Sequence, residues 1–315
     1  METQTKAEQK DSLRSSFQQQ ITPFIWFDHQ AEEAVNFYIS IFNNSALLKT
    51  VRYGEEGSEI SALEAGTVMT IDFVIEGQKF TALNGGPIFQ LNPSISFFVN
   101  CSNEKEVNRL WTKLSDGGTV MMELDHYPFS EKYGWIQDRY GVSWQLILQP
   151  RDQKIVPCLM FAGDQHKKAE EAINFYTSIF SDSEIIMMEK YKKGEGPKGG
   201  VVHSKFNLNG QEFVAMDSHI PMPVNFNPAL SMVIRCETQD ELDYYWNELS
   251  KGGDEKAQQC GWLQDRFGVS WQIVPKILGQ LLNDENSVKS GRVMQSMLKM
   301  KKIDIQKLQS AFHGK

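Results

Sequence analysis

The chain contains nearly the same sequence twice, and this duplication limits its possible folds more than any other feature. The segment AEEAVNFYISIF at 31–42 returns as AEEAINFYTSIF at 169–180, with ten of twelve positions identical. The segment GWIQDRYGVSWQLI at 134–147 returns as GWLQDRFGVSWQIV at 261–274, with ten of fourteen identical. A repeat of about 130 residues is too long for a solenoid unit and matches the size of a whole domain. The sequence therefore predicts two related domains in tandem.

The composition is typical of a globular protein that binds neither nucleic acid nor a membrane. The net charge is −8, and basic residues cluster only in the C-terminal tail, unlike in a dedicated nucleic-acid binder. There is no run of eighteen apolar residues that would predict a transmembrane helix. Four cysteines are scattered without a C-x-x-C pair, and residues 1–20 lack the apolar core of a secretory signal. These features favour the reducing cytoplasm as the location.

Within each copy the predicted elements follow the order β-α-β-β-β twice. The apolar run ITPFIWFD at 21–28 predicts a strand, and the three- and four-residue apolar spacing that follows it predicts a helix. Three more strands complete this unit, and a weaker version of the unit follows before copy two repeats both. We predict a polar lead-in, two domains and a helical tail: 1–20, 21–150, 151–275 and 276–315.

The repeated motifs resemble the vicinal-oxygen-chelate superfamily. Two units per copy and the motif GW(I/L)QDR(Y/F)GVSWQ are similar to its PhnB-like group, often labelled demethylubiquinone methyltransferase-like. The resemblance covers about residues 21–274 and implies an α+β fold. In that fold, each tandem vicinal-oxygen-chelate domain has two β-α-β-β-β units that form a curved mixed sheet around a cleft, and here a C-terminal helical tail follows. Single-copy relatives often pair as dimers, so we expect an intramolecular pseudo-dimer that is a monomer in solution.

The resemblance also predicts that no metal is bound. Metal-using relatives hold a divalent ion between a His on the first strand of a unit and a Glu on the last strand. Here the first strands of the two copies begin with Ile-Thr-Pro at 21–23 and Ile-Val-Pro at 155–157, and the Glu position is filled by Gln145 and Gln272. A neutral amide is a poor substitute for a carboxylate toward a hard cation. We therefore expect no metal and no other cofactor.

Two pairs of residues are candidates for ligand binding on the strands. Trp26 and Phe27 are adjacent, so one should face the cleft and the other the helices, with core packing as the alternative. Gln145 and Gln272 stand among apolar neighbours, where a buried amide needs a hydrogen-bonding partner. We expect that partner to be a polar group of a ligand, and the alternative is a structural hydrogen bond to another strand.

The two copies differ where the fourth strand of their first units ends. Glycines there allow a ligand to approach the backbone and Asn offers a donor and an acceptor, while a plain turn is an equal alternative. The candidate ligand-binding residues are Asn84, Gly85 and Gly86 in copy one and Asp217 and His219 in copy two. With His203, the last two form a conceivable metal cluster, which their scattered spacing supports only weakly. The sequence thus predicts two unlike pockets.

The motif QDR(Y/F)G looks like an acid–base set but is typical of a turn. An Asp at such a turn commonly caps backbone amides and pairs with a local Arg, so Asp138 and Asp265 are expected to be structural.

The expected function is the binding of a small amphipathic or aromatic molecule in a metal-free cleft. The alternative is an enzyme, either a metal-dependent lyase or isomerase or the methyltransferase that the family label implies. Against the methyltransferase, the sequence has no Gly-rich strand-to-helix loop followed by a ribose-binding acid. The basic MLKMKK segment of the tail would dock either on another protein or on the domains themselves.

Overall fold

The structure is a computed structural model that describes residues 21–54, 64–220 and 222–315. The predicted polar lead-in over 1–20 lies outside these residues. Within the described part of the chain, strands form two mixed sheets of eight strands each. No helix in this part has the length and apolar character needed to cross a lipid bilayer.

Four β-α-β-β-β units follow one another along the chain, at nearly the bounds that the sequence predicts. Unit 1 contains β1 (Ile21–Phe27), α1 (Ala31–Ile41), β2 (Ala46–Arg52), β3 (Val68–Ile75) and β4 (Gln78–Asn84). Unit 2 contains β5 (Ile95–Cys101), α2 (Glu104–Ser115), β6 (Thr119–Tyr127), β7 (Ser130–Gln137) and β8 (Ser143–Leu148). Unit 3 contains β9 (Ile155–Phe161), α3 (Ala169–Ile179), β10 (Ser183–Lys190), β11 (Val201–Leu208) and β12 (Gln211–Asp217), with a 3-10 turn at Gly163–Gln165. Unit 4 contains β13 (Leu230–Cys236), α4 (Gln239–Ser250), β14 (Asp254–Gln259), β15 (Trp262–Gln264) and β16 (Ser270–Pro275).

The two units of one copy share a hydrophobic core. In copy one, the ring of Phe80 on β4 lies 5.2 Å from that of Phe97 on β5, and Tyr38 of α1 lies 5.4 Å from Trp144 on β8. In copy two, Tyr176 of α3 packs in the same way on Trp271 of β16, at 5.6 Å. Trp144 and Trp271 are fully buried, as are both tyrosines. The helix-bearing faces of the sheets are therefore closed by packing within each copy.

Each sheet, by contrast, joins one unit of each copy. The first sheet has the order β14-β15-β16-β13-β1-β4-β3-β2 and so combines units 4 and 1, and the second combines units 3 and 2 in the order β10-β11-β12-β9-β5-β8-β7-β6. The units meet through the antiparallel pairs β1–β13 and β5–β9. We call the faces turned away from the core cleft A in the first sheet and cleft B in the second.

This pairing corrects the expectation that the two units of one copy enclose a cleft between them. The reason is the linker at 149–154, which is short and brings β9 back beside β5. Unit 3 therefore continues the sheet of unit 2, and unit 1 is left to pair with unit 4. Each cleft consequently has one wall from each copy.

The C-terminal tail docks on the protein itself, which is one of the two docking modes expected from the sequence. It forms α5 (Leu278–Leu281), α6 (Ser287–Leu298) and α7 (Ile305–His313). Ile303 and Leu308 are fully buried. The backbone nitrogens of Cys260 and Gly261 donate to the carbonyls of Met300 and Lys301, each at 2.8 Å. The tail therefore extends the hydrogen bonding of unit 4 at the turn between β14 and β15.

Candidate functional site

Cleft A is lined by aromatic side chains that come from both copies. Trp26 on β1 and Trp262 on β15 are half-buried, and their ring centroids lie 6.4 Å apart. Phe24 contacts Trp262 edge-on at 5.7 Å, and Phe89 contacts Trp26 at 5.1 Å. Aromatic rings in such a half-open cluster offer edges and faces to a planar ligand.

A polar cluster built around Arg235 lies on the same face. Arg235 donates from Nη1 to Thr22 Oγ1 at 2.8 Å and from Nη2 to Thr81 Oγ1 at 3.4 Å. Thr81 Oγ1 in turn donates to Asp72 Oδ1 at 2.6 Å. The distance from Arg235 Nη2 to Asp72 Oδ1 is 3.9 Å, and one third of the Arg235 side chain is exposed. The guanidinium is thus held in place by two buried hydroxyls and keeps donors that face the cleft.

Gln272 lies between the aromatic and the polar parts of cleft A. In the sheet register it stands opposite Trp262 on one side and Val233 on the other. Its Nε2 donates to Ser231 Oγ at 3.0 Å. Among the residues that the structure describes, its carbonyl oxygen has no hydrogen-bond partner. Cleft A therefore presents an amide acceptor as well as a cation.

Cleft B is filled by its own side chains. Tyr133 donates from its hydroxyl to Gln145 Oε1 at 2.6 Å, and Gln145 Nε2 donates to Ser96 Oγ at 2.8 Å. Burial raises the pKa of Tyr133, so the phenol stays protonated and acts as the donor. Around it pack other buried residues of the same face, namely Phe98, Val156, Cys158 and Val214. Both polar groups of Gln145 thus have partners within the protein. This is the structural hydrogen bonding to other strands that the sequence left open as the alternative to a ligand contact.

The β6–β7 hairpin closes cleft B further. Phe129 at its tip lies 5.1 Å from the ring of Tyr133 and stacks on Tyr127 at 5.6 Å. In copy two the position of Tyr133 is taken by Cys260, whose backbone nitrogen is bound to the tail. The two clefts therefore differ in access as well as in polarity.

Equivalent strand positions show the difference in polarity directly. Cleft A has a hydroxyl, a hydroxyl and a cation where cleft B has two aliphatic side chains and an amide. The pairs are Thr22 and Val156, Thr81 and Val214, and Arg235 and Asn100. At these positions, polar side chains that can form hydrogen bonds across the sheet are accordingly more numerous in cleft A.

Trp26 and Phe27 face opposite sides of the first sheet, with Phe27 buried in the core and Trp26 in cleft A. The glycines after β4 accommodate Trp26. A Cβ on Gly85 would lie 2.2 Å from Trp26 Cε2, and Trp26 Nε1 donates to the carbonyl of Gly86 at 2.8 Å. The group that approaches the glycine backbone closely is thus the indole of Trp26 and not a ligand. This contact fixes the indole at the cleft.

Asn84 and Asp217 cap the helices of their units. Asn84 Oδ1 accepts from the backbone nitrogen of Ala31 at 2.8 Å, at the start of α1. Asp217 Oδ1 accepts from Ala169 at 3.1 Å at the start of α3, and its Oδ2 accepts from Val201 at 2.7 Å. Burial raises the pKa of Asp217, while these donors favour its ionised form. Both side chains satisfy helix N–H groups that no local residue caps.

His219 does not belong to a metal cluster with Asp217 and His203. His219 is exposed beside Tyr191, whereas His203 lies 6.0 Å from Phe98 on the cleft B face. Within the described ranges, no three His, Cys, Asp or Glu side chains are grouped so that they could hold an ion. The proximity of Asp217, His219 and His203 in the sequence did not bring their side chains together in the fold. They lie on different strands and loops and face different sides of the sheet.

The positions used by metal-binding relatives do not suit a divalent cation here. The first-strand position in cleft A is near Thr22, whose hydroxyl accepts from Arg235, and the last-strand position holds the neutral Gln272. A guanidinium next to the donors would repel a cation, and hydroxyl and amide oxygens bind one weakly without carboxylates. The residues at these positions therefore do not fit a divalent metal ion.

The aspartates of the QDR(Y/F)G turns are structural, as the sequence predicts. The carboxylate of Asp265 accepts four hydrogen bonds: from Phe267 N at 2.8 Å, Val269 N at 3.1 Å, Tyr176 Oη at 2.7 Å and Trp271 Nε1 at 2.8 Å. Asp138 has the equivalent four partners in copy one: Tyr140 N, Val142 N, Tyr38 Oη and Trp144 Nε1. The expected pairing with the neighbouring Arg is not formed, since Arg139 instead lies 3.4 Å from Asp116 and packs on Phe37.

Sequence reasoning missed several residues that define the two clefts. These are Phe24, Asp72, Tyr133, Arg235 and Trp262. The alternation of side chains along β1, β3, β7, β13 and β15 places them on the faces opposite the core and was the available signal. It was overlooked because the partner strands come from different copies.

Comparisons with known proteins support the fold and the duplication. The model of the family described as 3-demethylubiquinone-9 3-methyltransferase matches residues 19–147 and again residues 153–274. A PhnB protein from Bacillus cereus is 41% identical, with 41% of this chain and 99% of that chain covered and a TM-score of 0.38. A glyoxalase I mutant from Zea mays is 9% identical, with 85% and 95% covered and a TM-score of 0.53. No curated protein gives a match. The maize enzyme shares the fold alone.

Proposed function

The chain belongs to the 3-demethylubiquinone-9 3-methyltransferase family, the PhnB-like group of the vicinal-oxygen-chelate superfamily, and from this premise we propose that it binds a small amphipathic or aromatic molecule in a metal-free cleft. The observation that carries the proposal is the half-open aromatic cluster of Trp26, Phe24 and Trp262 beside the acceptor of Gln272. Apolar walls with a few placed polar groups are the usual composition of small-molecule sites.

Cleft A is the better of the two clefts for this role. Its indole rings are partly exposed, whereas Tyr133 and its buried neighbours occupy the corresponding space in cleft B. A ligand entering cleft B would have to break the bond from Tyr133 to Gln145 and displace the ring. We therefore assign the binding of the ligand to cleft A.

The first test is a calorimetric titration with 2-naphthamide, a neutral planar molecule with one polar group. We expect saturable binding with one site per chain, and about fivefold weaker binding after Trp262→Leu, because an aromatic contact contributes about 1 kcal/mol beyond its buried area. Trp135→Leu is the matched control, since Trp135 is an equally half-buried tryptophan in cleft B. Equal weakening by both variants, or no binding at all, would contradict the proposal.

The metal-free part of the proposal is tested on protein purified without chelators. Native mass spectrometry of protein taken directly from cells should show an organic ligand and no stoichiometric divalent ion. If such an ion is present, and chelation removes it together with a measurable activity, the metal-dependent lyase or isomerase replaces our proposal. Saturable binding of S-adenosylmethionine would favour the methyltransferase that the family description names.

We also propose that the protein works in the cytoplasm as a monomer. In support, the four cysteines are free, and Cys101, Cys158 and Cys236 are buried. Burial raises the pKa of each of these three thiols to about 12, so they stay protonated at neutral pH. The thiolate, which is the form that is oxidised, is therefore scarce. The pairing of units across the two copies supports the monomer because it forms inside one chain. Light scattering that gives a dimer would contradict it.

A further inference from the structure

Cleft A carries a cation that the binding of a neutral ligand would leave unused. Arg235 keeps one third of its side chain exposed, and its nearest carboxylate oxygen, on Asp72, lies at 3.9 Å, beyond hydrogen-bond distance. Thr22 and Thr81, which hold the guanidinium, are almost fully buried, so their hydroxyls fix its position in the wall. Such a preorganised fork matches the two oxygens of a carboxylate.

Two lysines, Lys79 and Lys276, lie in the neighbourhood of Arg235. Lys79 on β4 is close enough to Arg235 for that charge, after burial, to lower the pKa of the lysine. Lys276, at the end of β16, is paired with Glu237. Among the residues that the structure describes, Asp72 has the carboxylate oxygen nearest to Arg235, at 3.9 Å. The fixed positive charge of Arg235 therefore favours an anion over a cation at this end of cleft A.

The aromatic cluster and the cation lie within the span of one small molecule. Trp262, Gln272, Val233 and Thr22 form one row across four strands, and Arg235 lies two residues farther along β13 on the same face. Two strand spacings and two residues separate the backbones of Trp262 and Arg235 by about 12 Å. Both side chains reach β1: the ring of Trp262 lies 5.7 Å from that of Phe24, and the guanidinium of Arg235 donates to Thr22, two residues from Phe24 on the same face. A bicyclic ring with one acidic group fits this separation.

We propose that cleft A recognises an aromatic carboxylate, with the ring against Trp262 and Trp26 and the carboxylate on Arg235. This inference rests on the proposed function, because it specifies the ligand class of the same cleft. Cleft B supplies the internal contrast. It has Asn100 at the position of Arg235 and valines at the positions of the two threonines. The duplication has therefore left the anion-binding residues in one cleft of the two.

The test compares 2-naphthoate with its neutral analogue 2-naphthamide by calorimetry on the full chain. We expect the acid to bind about tenfold more tightly than the amide, as one charge-assisted bidentate pair provides. In Arg235→Gln the acid should lose this advantage, so that the acid and the amide bind with equal affinity. Arg151→Gln, which removes an equal charge outside cleft A, is the control and should preserve the advantage.

A second variant is expected to bind the acid more tightly, a result that loss of folding cannot produce. Asp72→Asn keeps an oxygen that accepts from Thr81 but removes the negative charge 3.9 Å from Arg235. It should bind 2-naphthoate about threefold more tightly than the unmodified chain, because the carboxylate of Asp72 no longer repels that of the ligand. The gain is small because Asp72 is partly exposed to solvent, which screens the repulsion. Amide binding without preference for the acid overturns this inference and leaves the proposed function standing. Absence of binding by both probes overturns the proposed function itself.

Discussion

Replacing Asp265 with alanine is expected to lower the free energy of unfolding by about 3–5 kcal/mol. The side chain is buried and accepts hydrogen bonds from two backbone nitrogens, Tyr176 Oη and Trp271 Nε1. Its removal leaves all four donors buried without an acceptor. The loss of stability is not confined to one turn, because Tyr176 belongs to unit 3 and Trp271 to unit 4. The carboxylate thus joins the two units that form the core of copy two by hydrogen bonds.

Urea denaturation followed by circular dichroism measures this loss. Asp116→Ala is the control, because Asp116 is an exposed aspartate whose contact with Arg139 at 3.4 Å is solvated. We expect the control to change the free energy of unfolding by less than about 1 kcal/mol. Asp265→Asn should be nearly as damaging as the alanine variant, since an amide points new donors at existing donors. A loss below about 1 kcal/mol for Asp265→Ala would show that water replaces the carboxylate.

The same carboxyl makes a defined contribution to the dependence of stability on pH. Burial raises the pKa of Asp265 to about 6, although its four donors favour the ionised form. The folded chain then holds a proton between about pH 4 and pH 6 that the unfolded chain has released. Through this group, the free energy of unfolding falls as the pH rises across that window and is constant above it. The difference between the unmodified chain and Asp265→Asn, measured at several pH values, isolates this slope. A difference that rises across the window would contradict it.

Separating the two copies is expected to prevent each copy from folding as a monomer. Copy one alone, residues 1–150, would expose β1 and β5 along the edges that pair with β13 and β9. All seven residues of β5 and all seven of β9 are buried in the intact chain. Apolar edges of this kind associate with other strands. Each copy alone should therefore form homodimers or aggregates, whereas coexpressed copies should form a 1:1 complex of the size of the intact chain.

Size-exclusion chromatography with light scattering distinguishes these outcomes. The control is the intact chain carrying a protease site at Pro150–Arg151, outside the paired strands. After cleavage the two pieces should stay together, because the sheets and not the linker join them. A copy that is monomeric and as stable as the intact chain would show that the sheets do not depend on the exchange of units.

The elements and the duplication could be predicted because they depend on local patterns. Apolar spacing identified α1 and α3, and alternation placed Trp26 and Phe27 on opposite faces of β1. Which strands pair with each other could not be predicted in this way. The pattern of β9, IVPCLMF, specifies a strand buried on both faces but carries no information on whether its neighbour is β5 or another strand. The length of the linker decided that.

The candidate site was predictable only in part for a related reason. Asn84 and Asp217 looked suited to a ligand, but their acceptors are used by backbone nitrogens 53 and 48 residues away. Gln145 looked equally suited, and its carbonyl oxygen is used by Tyr133 on the neighbouring strand. A buried polar side chain does find a partner, as hydrogen-bond energetics require, but the chain itself is the commonest source of one.

The exchange of units between the copies has a consequence for how such a protein can evolve. In a symmetric homodimer of a single-copy chain, one substitution appears in both sites at once, so neither site can change without the other. In this chain, Thr22 belongs to cleft A only and its counterpart Val156 to cleft B only. Each of the four walls can mutate independently, so one cleft can acquire a new specificity while the other fills with side chains and serves as scaffold.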